Sequence, residues 1–240
     1  MVGRQGIQRD ANARGDLGPP HGIDRVRTVD ASQQRDIGLW PDLVALVELG
    51  FPAVPESVVT TYVGRGAEVL VHRVLGGGLD ARVDAATHAR GHDAFMRHYL
   101  TTNGRHARAY SGVHEGLAAM RSKGLRLACV TNKPQAFADP LLERCGLRDA
   151  FELVLGGDAL PTRKPDPAPM LHAARTLGAA PADVVAIGDS INDALAARAA
   201  GMAVLAVPYG YNEGRDVRSL DVDAIVGSLL DAASLIDPIV

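Results

Sequence analysis

Apolar residues recur every three or four positions between residues 42 and 108, whereas after residue 112 they gather in short continuous runs. The spacing of three or four residues matches one face of an α-helix and predicts amphipathic helices over 56–75 and 85–100. A run of three glycines at 76–78 separates the two helices. The region 42–108 is therefore predicted to be a small helical domain.

The short continuous apolar runs after residue 112 are typical of buried strands that alternate with helices. Strands are predicted at 125–130, 151–155, 184–187, 203–207 and 224–226, and helices at 135–144, 167–177 and 192–200. Strands joined through helices form a parallel sheet that is covered on both faces. Residues 109–240 are therefore predicted to form a doubly wound α/β domain, with its functional side chains at the carboxyl ends of the strands.

Composition, net charge and cysteine count limit the classes of protein to which this chain could belong. Apolar residues make up 47% of the 240 residues, which suits a folded protein, whereas residues 1–41 are rich in Gly, Arg and Asp and fit loop or disordered chain. The net charge of −3, without a large basic patch, argues against a nucleic-acid partner. We find neither an apolar run long enough to cross a membrane nor a signal-peptide pattern. Two cysteines do not predict a disulfide framework, so we expect a cytoplasmic protein.

The strongest chemical pattern is the string G-D-S-I-N-D at 188–193, directly after a predicted strand. Asp189 at the strand end is placed to bind a hard cation such as Mg²⁺. Asp193 lies one helical turn further on and could orient a lysine or a metal-bound water. The alternative is a helix cap at Asp189 or Ser190, with Asp193 as a first-turn acid.

Two other loops carry side chains suited to phosphate. Thr131 and Asn132 follow the strand at 125–130, where a hydroxyl, an amide and backbone N–H groups can cradle an anion. Lys164 precedes Pro165 in a stiff loop and can be aimed at a phosphate or an acyl phosphate as a fixed charge. The alternatives are an ordinary helix cap in the first loop and a solvated lysine in the second.

In this order, on an alternating β/α pattern, the three motifs resemble the second, third and fourth motifs of the haloacid dehalogenase (HAD) superfamily. The strings V-T-N-K-P, K-P-D-P-A-P, G-D-S-x-N-D and V-P-Y-G-Y-N, with Y-V-G-R-G at 62–66, resemble its phosphoglycolate phosphatase branch. The resemblance implies a HAD-like Rossmannoid sheet with a helical cap. It also implies a Mg²⁺-dependent phosphatase that works through an aspartyl phosphate.

The resemblance also implies roles for individual residues. Thr131 and Asn132 would hold the transferring phosphoryl group, and Lys164 would neutralise charge on the aspartyl phosphate. Asp189 would ligate Mg²⁺, and Asp193 would support Lys164 or the metal shell.

The cap, through Arg65, would close over a small phosphate ester that carries a carboxylate, such as 2-phosphoglycolate. A monomer or a homodimer is expected.

The first motif of the family, an apolar strand that ends in Asp-x-Asp-Gly-Thr, is not recognisable. Spacing back from Gly64 places it near 24–30, which reads D-R-V-R-T-V-D, and the prolines and glycine at 19–22 argue against a central strand. Three interpretations stay open. A reading-frame or start-site error has replaced the true N-terminal sequence, the protein binds phosphates without hydrolysing them, or the nucleophile has diverged to Asp24 or Asp30. Of the two acids, Asp24 is the preferred candidate.

Two further functions remain as alternatives to a phosphatase. One is a catalytically inactive HAD-fold protein that binds phosphate, and the other is a haloacid dehalogenase. Phosphonatase chemistry is disfavoured, because phosphonatase relatives use a cap lysine and no lysine precedes Lys123 in this sequence.

Overall fold

A computed structural model describes residue 46, residues 48–105 and residues 107–236, together with the backbone of residues 26–29. Within these residues the strands are β1 (Val26–Val29), β2 (Arg126–Val130), β3 (Leu153–Leu155), β4 (Val184–Gly188), β5 (Ala203–Ala206) and β6 (Ala224–Ile225). They form one sheet in the order β3-β2-β1-β4-β5-β6, and every neighbouring pair is parallel. The order runs outward on both sides of β1, so the predicted doubly wound α/β fold is confirmed.

The first strand differs from the expectation that it is missing or altered. β1 lies between β2 and β4, with Val29 level with Cys129 on one side and Ile187 on the other. The prolines and glycine at 19–22 precede this strand and do not interrupt it. Three of its four residues are β-branched, which suits extended backbone. The centre of the sheet is therefore occupied by part of the 24–30 segment to which spacing assigned the first motif.

The described α-helices are α1 (Glu56–Tyr62), α2 (Ala67–Gly76), α3 (Ala85–Thr102), α4 (Val113–Ser122), α5 (Gln135–Arg144), α6 (Ala168–Thr176), α7 (Ile191–Ala199) and α8 (Leu229–Ser234). The first three form the cap. The single helix predicted over 56–75 is wrong, because the chain turns sharply between α1 and α2. Gly64 and Gly66 there have φ angles of 136° and 84°, which favour glycine. Helices α4 and α8 were not predicted.

The sheet is covered on both faces by separate apolar layers. Helices α4, α5 and α8 pack on one face, and α6 and α7 pack on the other. Along β2, Leu127 and Cys129 join the first layer whereas Ala128 and Val130 join the second, as the alternation of side chains along a strand requires. None of the helices described is long and apolar enough to cross a membrane.

Candidate active site

The functional side chains predicted from three loops meet at one edge of the sheet. Thr131 directly follows β2, Asp189 directly follows β4, and Lys164 lies in the loop that leads from β3 to α6. All three are buried. The backbone N–H of Thr131 donates to the Leu155 carbonyl at 3.0 Å, which ties the loop after β2 to the end of β3.

Lys164 is a buried, fixed cation and not a solvated loop lysine. Its side chain is 2% exposed. The ammonium donates to Asp193 Oδ1 and to the Val130 carbonyl, each at 2.6 Å. Val130 is the residue before Thr131, so these contacts hold the positive charge beside the Thr131 loop. A cation fixed in this way stabilises negative charge without having to reorganise as that charge develops.

Asp193 joins the loops after β3 and β4. Its Oδ2 accepts hydrogen bonds from the Ser190 hydroxyl at 2.6 Å, from the Ser190 N–H at 3.1 Å and from the Asp189 N–H at 3.3 Å. Burial alone would raise the pKa of Asp193. The charge of Lys164 and the hydrogen bonds from Lys164 and Ser190 outweigh burial and lower this pKa, so the carboxylate stays ionised. Ser190 and Asp193 also form a capping box at the start of α7, in which Asp193 uses Oδ2 while its Oδ1 accepts from Lys164.

Asp189 is held by the loop that follows β5. The Tyr211 N–H donates to Asp189 Oδ2 at 2.9 Å. Gly210 packs so closely that an added Cβ would overlap this carboxylate. A glycine is therefore required beside Asp189, and the carboxylate has a defined orientation at the end of β4.

The donor chemistry of Asp189 fits Mg²⁺. Mg²⁺ prefers oxygen ligands, and it is usually bound by one or two carboxylates while water and substrate phosphate complete its shell. Among the residues described there is no group of three or more His, Cys, Asp or Glu side chains that could hold a metal. The remaining ligands would be drawn from water, substrate phosphate and other protein oxygens, backbone carbonyls included.

Asn132 bridges the cap and the core. Its Nδ2 donates to the Gly64 carbonyl in the cap and to the Lys164 carbonyl, both at 2.8 Å. The Oδ1 atom is buried without a hydrogen-bond partner in the described part of the chain. The side-chain N–H groups of Asn132 are thus engaged by backbone carbonyls, and its part in holding the phosphoryl group stays a prediction.

Two of the predicted site residues cannot be assigned to this cluster. Arg65 is exposed in the loop between α1 and α2, and its carbonyl lies 3.5 Å from Nη1 of Arg163. Asp24, the preferred nucleophile, lies outside the described residues, and so does Asp30.

Several contacts near the site were not predicted from the sequence. Asn192 donates from Nδ2 to the Gly64 carbonyl at 3.4 Å. The backbone N–H of Tyr211 reaches Asp189, and Arg73 pairs with Glu213 across the cap–core boundary. The glycines that flank the Y-N-E string at 211–213 were the one local signal of a constrained loop.

A family model described as haloacid dehalogenase-like hydrolase matches residues 27–201. The chain belongs to this family. It is 49% identical over 201 residues to a phosphoglycolate phosphatase of Thiobacillus denitrificans, and the match covers 82% of this chain and 88% of the relative. A phosphoglycolate phosphatase of Nitrosospira multiformis is 50% identical over the same length and with the same coverage.

A solved structure shows the same HAD fold. The crystal structure of a predicted phosphoglycolate phosphatase from Haemophilus somnus superposes with a TM-score of 0.80 at 29% identity. The superposition covers 90% of this chain and 99% of that one. The cap and the sheet of this HAD protein therefore follow an architecture known from experiment.

Proposed function

We propose that this HAD hydrolase removes phosphate from 2-phosphoglycolate or a closely similar small phosphate monoester, with Mg²⁺ as its cofactor. The observation that carries the proposal is the buried Lys164 ammonium, fixed beside Thr131 by Asp193 and the Val130 carbonyl. A rigid cation at a phosphate cradle serves phosphoryl transfer, where charge stabilisation and positioning supply most of the catalysis. The choice of substrate rests on the phosphoglycolate phosphatases of similar sequence.

The proposed reaction has two steps. A carboxylate oxygen attacks phosphorus and the bond from phosphorus to the leaving alkoxide breaks, so that glycolate departs after gaining a proton. Water then attacks the acyl phosphate, which releases inorganic phosphate and regenerates the carboxylate. Lys164 offsets the negative charge that gathers when one anion attacks another, and the Thr131 hydroxyl donates to a phosphoryl oxygen. Bound Mg²⁺ would supply further charge neutralisation beside Asp189.

The position of β1 bears on which acid is the nucleophile. In a parallel sheet the site lies at the carboxyl ends of the strands. Asp24 precedes Val26, the first residue of β1, whereas Asp30 directly follows Val29, the last one. Chain order therefore favours Asp30 over Asp24, the reverse of the preference from sequence alone.

The variants Asp30→Asn and Asp24→Asn test this choice. We expect Asp30→Asn to lower phosphatase kcat at least about a thousandfold, because an amide cannot act as the nucleophile. Asp24→Asn is the matched control and should stay within about twofold of the parent. Trapping the acyl phosphate with labelled substrate, followed by peptide mapping, would identify the residue directly. A label on Asp24 would overturn the assignment.

Arg65 is proposed to contact the substrate carboxylate. It is an exposed cation in the Gly64–Gly66 turn, whose Gly64 carbonyl is bonded to Asn132 beside the phosphate cradle. In Arg65→Met we expect a higher KM for 2-phosphoglycolate and little change in kcat/KM for p-nitrophenyl phosphate, which lacks a carboxylate. Equal losses on both substrates would contradict this role.

Phosphate release from 2-phosphoglycolate, with Mg²⁺ or with EDTA, tests the proposed function itself. We expect turnover that depends on Mg²⁺ and that Asp189→Asn abolishes. Folded protein that binds phosphate but shows no turnover would favour the inactive phosphate-binding alternative. Halide release from a 2-haloacid, without phosphate release, would favour the dehalogenase alternative.

A further inference from the structure

The cap and the core meet through polar groups close to the candidate site. The cap has its own apolar cluster, separate from the two layers that cover the sheet. Asn132 and Asn192 of the core donate to the Gly64 carbonyl of the cap, and Arg163 of the core pairs with Glu68 of the cap at 3.0 Å.

A ring contact also crosses the boundary, with 4.7 Å between the centroids of Tyr99 in the cap and Phe137 in the core. Domains that meet mainly through polar contacts move relative to one another more readily than domains that share an apolar core. Such movement would open a route from solvent to the buried side chains of the site.

One of these cap–core contacts is a buried ion pair. Nη2 of Arg73, in α2 of the cap, lies 2.8 Å from Oε1 of Glu213, in the loop after β5 of the core. The side chains are 2% and 8% exposed. We propose that Arg73 and Glu213 form a latch that holds the cap on the core and, when closed, fixes the loop that orients Asp189.

Two of the three described contacts of the Arg73 guanidinium lie within the cap. Its Nε donates to the Leu79 carbonyl at 2.8 Å and its Nη1 to the Tyr62 carbonyl at 2.7 Å, and both carbonyls belong to the cap. Nη2 reaches across the boundary to Glu213. Arg73 therefore keeps its place on the cap when the two domains separate, and its charge is presented to the core each time they meet.

Glu213 lies in a loop that is tied to the candidate site. Two residues before it, the Tyr211 N–H donates to Asp189, and Asn212 Oδ1 accepts from the Ile191 N–H at 2.8 Å. Glu213 has a φ angle of 51°, and it is the one non-glycine residue with a positive φ among those described. A non-glycine residue persists in this conformation when its surroundings hold it there. Arg73 supplies such a hold only when the cap is closed.

The energetics of a buried ion pair suit a contact that must open and close. In the closed form, the attraction between the two buried charges offsets the cost of removing them from water. Losing one partner strongly disfavours the closed form, because the remaining charge is buried without compensation. A variant without the Glu213 carboxylate would leave the Arg73 charge buried and uncompensated in the closed form, and would therefore favour the open form.

Distance measurement between cap and core tests the latch in the full-length protein without substrate. Spin labels would be placed at Arg90→Cys in the cap and Arg218→Cys in the core, both exposed positions, in a Cys145→Ser background. Cys129 is fully buried and should not react. Double electron–electron resonance then gives the distribution of distances between the domains.

Two variants of Glu213 distinguish the effect of losing the carboxylate charge from the effect of the positive φ angle. Glu213→Gln keeps the size of the side chain, whereas Glu213→Gly relieves the positive φ. Both lack the carboxylate, so we expect both to raise the population with the longer distance about tenfold. Glu68→Gln is the matched control. It breaks the cap–core pair with Arg163, whose side chains are 60% and 35% exposed, and exposed pairs of this kind contribute little.

Each outcome of the distance measurement either supports or overturns the latch. Open populations in both Glu213 variants, with a parent-like distribution in Glu68→Gln and unchanged thermal midpoints, support the latch. A parent-like distribution in either Glu213 variant overturns it, and so does equal opening in Glu68→Gln. The measurement reads the conformation of the substrate-free protein, so its result does not depend on whether 2-phosphoglycolate is the substrate.

Discussion

Two buried ion pairs in this molecule have opposite surroundings. Lys164 and Asp193 lie inside the core, where Asp193 accepts from the Ser190 hydroxyl as well as from the Lys164 ammonium. Arg73 and Glu213 cross the boundary between cap and core, and Glu213 Oε1 has no directed hydrogen bond among the described residues. Every contact described for the side chains of Lys164 and Asp193 belongs to the core. The second pair instead links the cap to the core through a single contact.

This difference in surroundings suits the two pairs to different roles, one rigid and one able to separate. A network that satisfies its buried charges is rigid, and rigidity is what a charge aimed at a phosphoryl group requires. A pair with a single contact across a boundary separates without disturbing the cap side, because Arg73 keeps its hydrogen bonds to the Tyr62 and Leu79 carbonyls. Breaking each pair should therefore have different consequences, for stability in the first case and for cap position in the second.

The largest effect is expected from Lys164→Met. This change leaves the Asp193 carboxylate buried without its cation, which costs about 3–5 kcal/mol in the free energy of unfolding. Phosphatase activity should also be lost, because the fixed charge beside Thr131 is gone. Urea denaturation measures the first effect and steady-state kinetics the second.

The double variant Lys164→Met/Asp193→Leu is the control for this prediction. Replacing both charges with apolar side chains removes the uncompensated carboxylate, so most of the lost stability should return. Activity should not return, because Lys164 is required for the chemistry itself. Recovery of activity in the double variant would contradict the role of Lys164.

A smaller effect is expected from Gly188→Ala, which disturbs the core pair without removing either partner. A methyl group at Gly188 would overlap Cβ of Asp193 and push that side chain away from Lys164. Overpacking of this kind costs about 1–3 kcal/mol. We expect kcat to fall while the thermal midpoint drops by several degrees, both measured on the purified variant. Gly78→Ala, after α2, where an added Cβ meets nothing and φ is not positive, is the control for adding a methyl group at a glycine. Unchanged kcat in Gly188→Ala would show that the position of Asp193 is not critical.

The sequence predicts the core pair far better than the boundary pair, for a physical reason. Lys164 lies in the loop after β3 and Asp193 in the first turn of α7, just after β4, and a parallel sheet brings the segments that follow its strands to one edge. Arg73 and Glu213 occupy a helix face and a loop in different domains, and no periodicity in the sequence relates these two positions. The Asn132 contact with Gly64 was missed in the same way, since it depends on how the cap docks. The break between α1 and α2 was predictable in principle from Gly64 and Gly66, but the apolar period on both sides concealed it.

The smallest effect is expected at an exposed pair, Arg126 and Glu152, which extends the comparison to charges that remain in contact with water. Two nitrogens of Arg126 donate to Glu152 Oε2, at 2.7 and 3.0 Å, and both side chains are nearly half exposed. The hydrogen bonds from Arg126 lower the pKa of Glu152 from its ordinary 4.5, and partial burial opposes this shift without reversing it. A carboxylate with a lowered pKa stabilises the fold above its unfolded pKa, and this contribution disappears as the pH falls through the folded value. Glu152→Gln should therefore cost about 0.5 kcal/mol at neutral pH and nothing in strong acid. Thermal midpoints of both proteins across this pH range measure the difference, and a gap that widens in acid would contradict the assignment.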